Sequence, residues 1–213
     1  MVMARIIKRL SDFLVALVGL LILSPLILAI AIAIYINMGS PIVFSQPRPG
    51  KNARSFIFYK FRTMRDEYDA NGNFLPDEQR ITPLGRFLRR TSLDELPQLW
   101  NILKGDMSLV GPRPLLHDYL PYYSETEMKR HNMLPGVTGL AQVNGRNKLP
   151  WNERLALDVY YVENWSFLLD CEIIFKTIFK VLKSDSVTVV PNVLMKDLHD
   201  ERQSIEAEEG FTG

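Results

Sequence analysis

Across the 24 residues from Phe13 to Ile36 this chain has no charged side chain, and across its full 213 residues it has a single cysteine. Lone Cys171 excludes a disulfide framework and fits a reducing compartment. Inside an apolar segment it reads as a small hydrophobe rather than a reactive thiol. The three histidines, His117, His131 and His199, share no ligand spacing with each other or with Cys171, which leaves a zinc site without support. No internal repeat appears, no linker divides the soluble part, and no Gly-Lys-Ser/Thr phosphate loop is present. No recognised nucleic-acid motif accompanies the basic residues either, so nucleic acid is not an expected partner.

What the chain does have is a charge asymmetry beneath a formal net charge of +1. From Pro191 onward two bases face six acids, which leaves 23 bases against 18 acids in the first 190 residues. That excess suits an anionic membrane face or an anionic substrate. The acidic segment 191–213 is expected to be a disordered tail. With 47% hydrophobic residues, the rest is long enough to bury one sizeable core. The expected division is a membrane element over 1–38 and a catalytic domain at the membrane surface over 39–190.

The uncharged segment is long enough to span a bilayer. It is too long for a cleaved signal peptide, and no clear cleavage site follows. Two features speak against a plain span. Ser24-Pro25 sits mid-segment, where proline removes a backbone donor and a serine hydroxyl can satisfy the freed carbonyl. Both flanks are also basic, with Arg5, Lys8 and Arg9 before the segment and Arg48, Lys51, Arg54 and Lys60 after it. Like-signed flanks conflict with a simple crossing. A helix that enters, breaks at Ser24-Pro25 and leaves by the same leaflet reconciles them; from these residues alone the two topologies stay level.

After the membrane element, residues 41–46 and 54–61 read as short strands, joined by the turn residues Pro47-Arg-Pro-Gly50 into a hairpin. Residues 66–80 form a polar loop. Helices are expected over 84–90, 93–103, 124–131, 151–162 and 167–183, with Gly105 stopping the second. The last of these is apolar and punctuated by Lys176, Lys180 and Lys183, which fits a core helix or one lying in the membrane interface. The expected fold class is α+β and mostly α, with a re-entrant membrane helix, a small β-hairpin and amphipathic interface helices around a cytosolic active site.

The chemistry concentrates between residues 92 and 114. Ser92-Leu-Asp-Glu95 reads as a capping box, in which Ser92 bonds the Glu95 amide and the Glu95 side chain reaches back. The same helix start offers amides to a phosphate and favours an ionised Asp94. Asp94 can act as a nucleophile, and Asp94 with Glu95 can hold Mg2+ alongside substrate phosphates. Arg113, fixed between Pro112 and Pro114, suits a bidentate phosphate contact. Arg89 lies just upstream, Lys60 and Arg62 are further phosphate or nucleotide candidates, and Arg146 ends the Gly-rich stretch 136–146. Glu67 to Glu78 comes near a calcium-loop pattern, but Glu at its first position and Pro76 in its second half favour a solvated loop.

Taken together, Ser24-Pro25, Gln46-Pro-Arg-Pro-Gly50, Tyr59-Lys-Phe-Arg-Thr-Met64, Ser92-Leu-Asp-Glu-Leu-Pro-Gln98, Gly105-Asp-Met-Ser108, Gly111-Pro-Arg-Pro114, Pro135-Gly-Val-Thr-Gly139 and Gln142-Val-Asn-Gly-Arg146 resemble the small monotopic bacterial phosphoglycosyl transferases. The likeness runs from about residue 5 to about 183. It implies transfer of a sugar phosphate from a UDP-sugar to undecaprenyl phosphate with release of UMP, the first membrane step of glycoconjugate assembly such as protein glycosylation. It implies a ping-pong, Mg2+-dependent reaction with Asp94 as nucleophile and Glu95 at the metal or in acceptor activation. Arg89, Arg113, Arg146 and Asp158 match family positions, and Ser24-Pro25 matches the break of a re-entrant helix, with both its ends cytoplasmic. The implied location is the bacterial inner membrane with the active site facing the cytoplasm. The partners are membrane lipids, donor and acceptor, with downstream glycosyltransferases as candidates. The likeness leans toward UDP-N,N'-diacetylbacillosamine or a related acetamido sugar. A non-catalytic membrane-anchored binding module is the alternative.

Overall fold

In the computed structural model, which describes residues 2–145, 149–182 and 197–203, the apolar run folds as one continuous helix, α1 (Val2–Met38). At 1.5 Å per residue it is about 55 Å long, well beyond the ~30 Å hydrocarbon core of a bilayer. Pro25 lies inside it. The amide that proline lacks would have bonded the Leu21 carbonyl, and Ser24 Oγ donates to that carbonyl at 2.8 Å instead. A break was expected here. The helical backbone runs through, and Ser24-Pro25 supplies a substituted hydrogen bond.

Both ends of α1 touch the same body. Near its start Lys8 Nζ pairs with Asp170 at 2.7 Å, Asp12 accepts from Ser108 Oγ and the Leu109 amide, and Arg9 reaches the Leu103 carbonyl. Near its end Ile30 and Ile34 pack with Phe61 and Leu88, while Arg62 and Arg65 donate to the carbonyls of Met38 and Asn37. Between these attachments the outward face stays apolar and exposed, including Leu14, Val18, Leu21, Ile22, Leu28 and Ile32.

The hairpin forms as β1 (Val43–Pro49) and β2 (Ser55–Phe61), antiparallel with Val43 opposite Phe61. Its turn falls later than expected. Pro47 and Pro49 extend β1, which pairs on one side only and so tolerates residues without an N–H. The loop after β2 holds a short helix, α2 (Asp77–Arg80), and Asp69 accepts the amides of Asn71 and Asn73 to shape the turn there. Helix α3 (Pro83–Arg90) starts with Thr82 as N-cap.

The expected helix over 93–103 is two pieces: a 3-10 turn, Leu93–Glu95, and α4 (Gln98–Lys104), ending on Gly105 at φ 93°. Ser92 is left-handed at φ 57° and its hydroxyl caps nothing, so the capping box expected at Ser92 and Glu95 does not form. One does form at Ser124 and Glu127, opening α5 (Glu125–Met128), which a 3-10 turn extends to Asn132.

Strands β3 (Ser108–Val110) and β4 (Gly136–Thr138) pair in parallel, a contact that the sequence reading did not anticipate. They lie so close that a Cβ on Gly136 would stand 2.1 Å from the Gly111 nitrogen. Helices α6 (Leu140–Asn144), α7 (Trp151–Glu163) and α8 (Phe167–Leu182) complete the body. Helix α8 buries Ile173 and Asp170 and turns Leu168, Phe175, Ile178 and Phe179 outward. Residues 198–203, inside the segment expected to be a disordered tail, are helical. Leu198 is fully buried with Tyr119 and Trp151, and Arg202 pairs with Glu127 at 2.6 Å.

Removing Lys8 strands a buried carboxylate, since Asp170 then keeps only the neutral donors Tyr161 and Trp165. Lys8→Met is expected to cost about 3 kcal/mol, and Lys8→Met with Asp170→Asn to recover part of it. Unfolding in detergent micelles measures both.

Candidate active site

Asp94 and Glu95 occupy the 3-10 turn between α3 and α4, which aims them differently. Asp94 is 7% exposed; Glu95 extends to Arg113, whose Nη2 donates to its Oε1 at 2.8 Å. Arg113 follows β3 directly, on the Gly111–Pro114 turn. That turn is held from behind. Arg130, buried in the 3-10 extension of α5, donates to the Arg113 carbonyl at 2.7 Å and through Nε and Nη2 to Asp158. Arg89, at the end of α3, donates from Nε to Thr63 Oγ1. Lys60 comes from β2, with its ammonium 5.3 Å from the Phe44 ring centre.

The electrostatics bind these groups into one cluster. Burial and the neighbouring Glu95 charge push Asp94 up to about 6, against the pull of Lys60, Arg89 and Arg113. Burial, helped by Arg89, pushes Lys60 down to about 8, with Asp94 and Glu95 resisting. Glu95 holds Arg113 above the ordinary arginine value, whereas burial lowers Arg89. Three cations thus face two carboxylates in a poorly hydrated site, an arrangement that favours further negative charge. Two adjacent carboxylates also suit Mg2+, which takes one or two such ligands plus substrate phosphate oxygens. One Glu95 oxygen is committed to Arg113.

The structure therefore brings together Asp94, Glu95, Lys60, Arg89 and Arg113. It does not bring Arg62 to them as a phosphate ligand. That guanidinium is spent on the Met38, Ser40 and Met64 carbonyls and on Asp66, fastening the end of α1. Asp158 is likewise no direct ligand, because it is 2% exposed and committed to Arg130. Arg146 lies outside the described residues. The sequence reading missed Arg130 altogether; its only signal was a lone arginine within an otherwise unremarkable basic run. Outside the site, Asp197, His199 and Asp200 come within 4.8 Å of one another, but Asp197 already accepts from Tyr119 Oη.

Residues 3–184 match the model of a family described as bacterial sugar transferase. The chain belongs to that family. It is 53% identical over 182 residues to the uncharacterized sugar transferase EpsL of Bacillus subtilis, covering 85% of this chain and 90% of the relative. It is 39% identical over 200 residues to the undecaprenyl-phosphate galactose phosphotransferase of Salmonella typhimurium, and 42% over 187 residues to the UDP-glucose:undecaprenyl-phosphate glucose-1-phosphate transferase of Xanthomonas campestris. These matches cover 85% and 82% of this chain but only 42% and 38% of the two relatives.

A carboxyl group whose folded pKa is raised binds its proton more tightly in the native state. Stability is therefore lost as pH rises from about 4 to about 6 and stays lower above that. Asp94→Asn, which imitates the protonated form, is expected to stabilise the protein by on the order of 2 kcal/mol at pH 8. The gain should vanish near pH 4. Thermal unfolding in EDTA at the two pH values checks the sign.

Proposed function

We propose that this protein transfers a sugar-1-phosphate from a UDP-sugar to undecaprenyl phosphate and releases UMP. The observation that carries this reading is Asp94–Glu95, set among Lys60, Arg89 and Arg113 beside a helix that is apolar enough to enter a membrane. Family membership and the activities for which the relatives are named support it.

In the first step an Asp94 carboxylate oxygen attacks the sugar-bearing phosphorus. The bond from that phosphorus to the oxygen of the UMP phosphate breaks, and UMP leaves with that electron pair. In the second step a phosphate oxygen of undecaprenyl phosphate attacks the same phosphorus and frees the Asp94 carboxylate. Arg113 neutralises charge on the departing side, and its fixed backbone holds it in line. Lys60 and Arg89 lower the cost of ionising Asp94 in its buried setting. Mg2+, held by Asp94 and Glu95, would supply further neutralisation of the diphosphate. The two relatives are named for galactose and glucose, so the leaning toward an acetamido sugar rests on motif likeness.

The attachment of both ends of α1 to one body supports a re-entrant topology, with the site facing the cytoplasm at the inner membrane. A crossing helix would have to hold Lys8 and Met38 on opposite sides of the bilayer. The outward apolar face of α8 suits the same surface.

Wild type with Mg2+ and undecaprenyl phosphate is expected to release UMP from one of UDP-glucose, UDP-galactose and UDP-N,N'-diacetylbacillosamine. Asp94→Asn should lose about a thousandfold or more, and EDTA should abolish turnover. Near wild-type release by Asp94→Asn would sink the covalent mechanism, and no release with any donor would favour a binding module. For topology, cysteines placed at positions 2 and 40 in a Cys171→Ser background should label from one side of sealed vesicles.

A further inference from the structure

Helix α4 carries two buried amide side chains, and only one of them is answered. Asn101, fully buried, donates to the Ile57 carbonyl at 2.6 Å and accepts the Tyr59 amide at 3.2 Å, which clamps the helix to β2. Gln98, three residues earlier, is 1% exposed, yet neither its Nε2 nor its Oε1 meets a partner among the described residues. Leu99 and Ile102, beside it on the helix, pack in an apolar cluster with Phe58 and Met107. A primary amide there has lost its hydration at both ends, which native cores rarely allow. Departures of this kind concentrate at functional sites.

Position says which function. The backbone is right-handed from Leu93 through Leu96 and Pro97 into α4, and the amides of Leu96, Leu99 and Trp100 each bond the carbonyl three residues back. Gln98 follows Glu95 by three residues and Asp94 by four, a spacing that puts Cβ atoms about 5–6 Å apart on one helix face. Glu95 is drawn away to Arg113, whose side chain is 36% exposed. Asp94 is buried like Gln98, at 7% exposed. Glutamine and aspartate one helical turn apart can hydrogen-bond through their side chains. The far end of the same face is fixed by Asn101 on residues 57 and 59 of β2, and Lys60, next along that strand, lies within electrostatic reach of Asp94. Gln98 therefore sits between the clamp that holds α4 and the carboxylate that α4 carries.

We propose that Gln98 is a positioning residue for the Asp94 nucleophile, its Nε2 donating to the carboxylate oxygen that does not attack. That bond forms as Asp94 turns toward a bound phosphate, and it fixes the plane of the carboxylate and so the direction of the attacking lone pair. Hydrogen bonds that serve a reaction are often open before substrate arrives and close in the complex. The amide is neutral, so it orients Asp94 without adding charge to the cluster formed with Lys60, Arg89 and Arg113. The inference rests on the transfer proposed above and adds to it a residue that acts through Asp94 rather than on the substrate.

The test compares full-length wild type in detergent with Gln98→Met, which keeps the length of the side chain and removes both polar atoms. UMP release at varied UDP-sugar gives kcat and KM, and thermal unfolding without substrate gives stability. Gln98→Met should melt about 3 °C higher, because two unpartnered polar atoms are gone. Its kcat should fall about thirtyfold, with KM for the UDP-sugar within about twofold of wild type. The burst of UMP released without undecaprenyl phosphate should slow by the same factor, since Asp94 attacks in that step. Gln98→Asn, which keeps the amide one methylene further back, should recover part of the lost rate and none of the added stability. A higher melting temperature with an unchanged burst and kcat overturns the positioning role and leaves the reaction standing. A lower melting temperature in Gln98→Met with the burst rate intact does the same, because the amide is then an ordinary core contact. A wild type that releases no UMP from any donor removes the reaction and the positioning role together.

Discussion

The buried ion pair between Lys8 and Asp170 is the contact from which the rest of the architecture follows. Lys8 and Asp12 stand one turn apart on α1, at the edge of its uncharged stretch, and are 7% and 3% exposed. Burying them is unfavourable unless every charge is answered, and here each is. Asp170 accepts from Lys8, Tyr161 and Trp165, while Asp12 accepts from Ser108 and the Leu109 amide. One network thus joins the membrane helix to β3, α7 and α8. Strand β3 runs straight into the turn that carries Arg113, so the attachment of the helix and the placing of the arginine are one structural problem. Such a network adds little net stability over an apolar equivalent, but it permits one arrangement only.

The site itself is built against stability. A carboxylate pushed up to about 6 beside a lysine pushed down to about 8 means that both charges are held where water cannot reach them freely. The fold supports this strain from outside the site. Arg130 braces the backbone under Arg113, Thr63 orients Arg89, and the close approach of Gly111 to Gly136 fixes the angle at which the turn leaves β3. Charge stabilisation that exists before substrate arrives needs no reorganisation during the reaction.

Much of this was legible in the residues. Adjacent carboxylates, a proline-fixed arginine and an uncharged helix between basic flanks are local facts, and local facts survive folding. The helix expected over 84–90, the hairpin pairing and the Gly105 stop are of the same kind. The misreadings share a cause. Ser92 looked like a cap because Glu95 follows at the right spacing, but Glu95 had a stronger partner in Arg113, 18 residues away. Arg62 looked like a phosphate ligand because of the basic motif it sits in, and Asp158 because it matches a family position. Both are consumed by partners that spacing does not reveal: carbonyls at the end of α1 for Arg62, and Arg130 for Asp158. Lys8, Asp12 and Asp170 did carry a signal, as charges embedded in apolar helices, which are expensive there unless paired.

The sequence by itself determined the composition of the site and its neighbourhood: which acids and bases are available, and that an apolar helix lies beside them. Periodicity, turn chemistry and residue type act over a few residues, so they can be read in order along the chain. Only the tertiary structure decided which charges face one another. The parallel pairing of β3 with β4, the bracing of Arg113 by Arg130 and the docking of 197–203 against Tyr119 and Glu127 all join segments far apart in the chain. A guanidinium can serve a substrate or a backbone carbonyl equally well, and what settles its role is the distance to each once the core has closed.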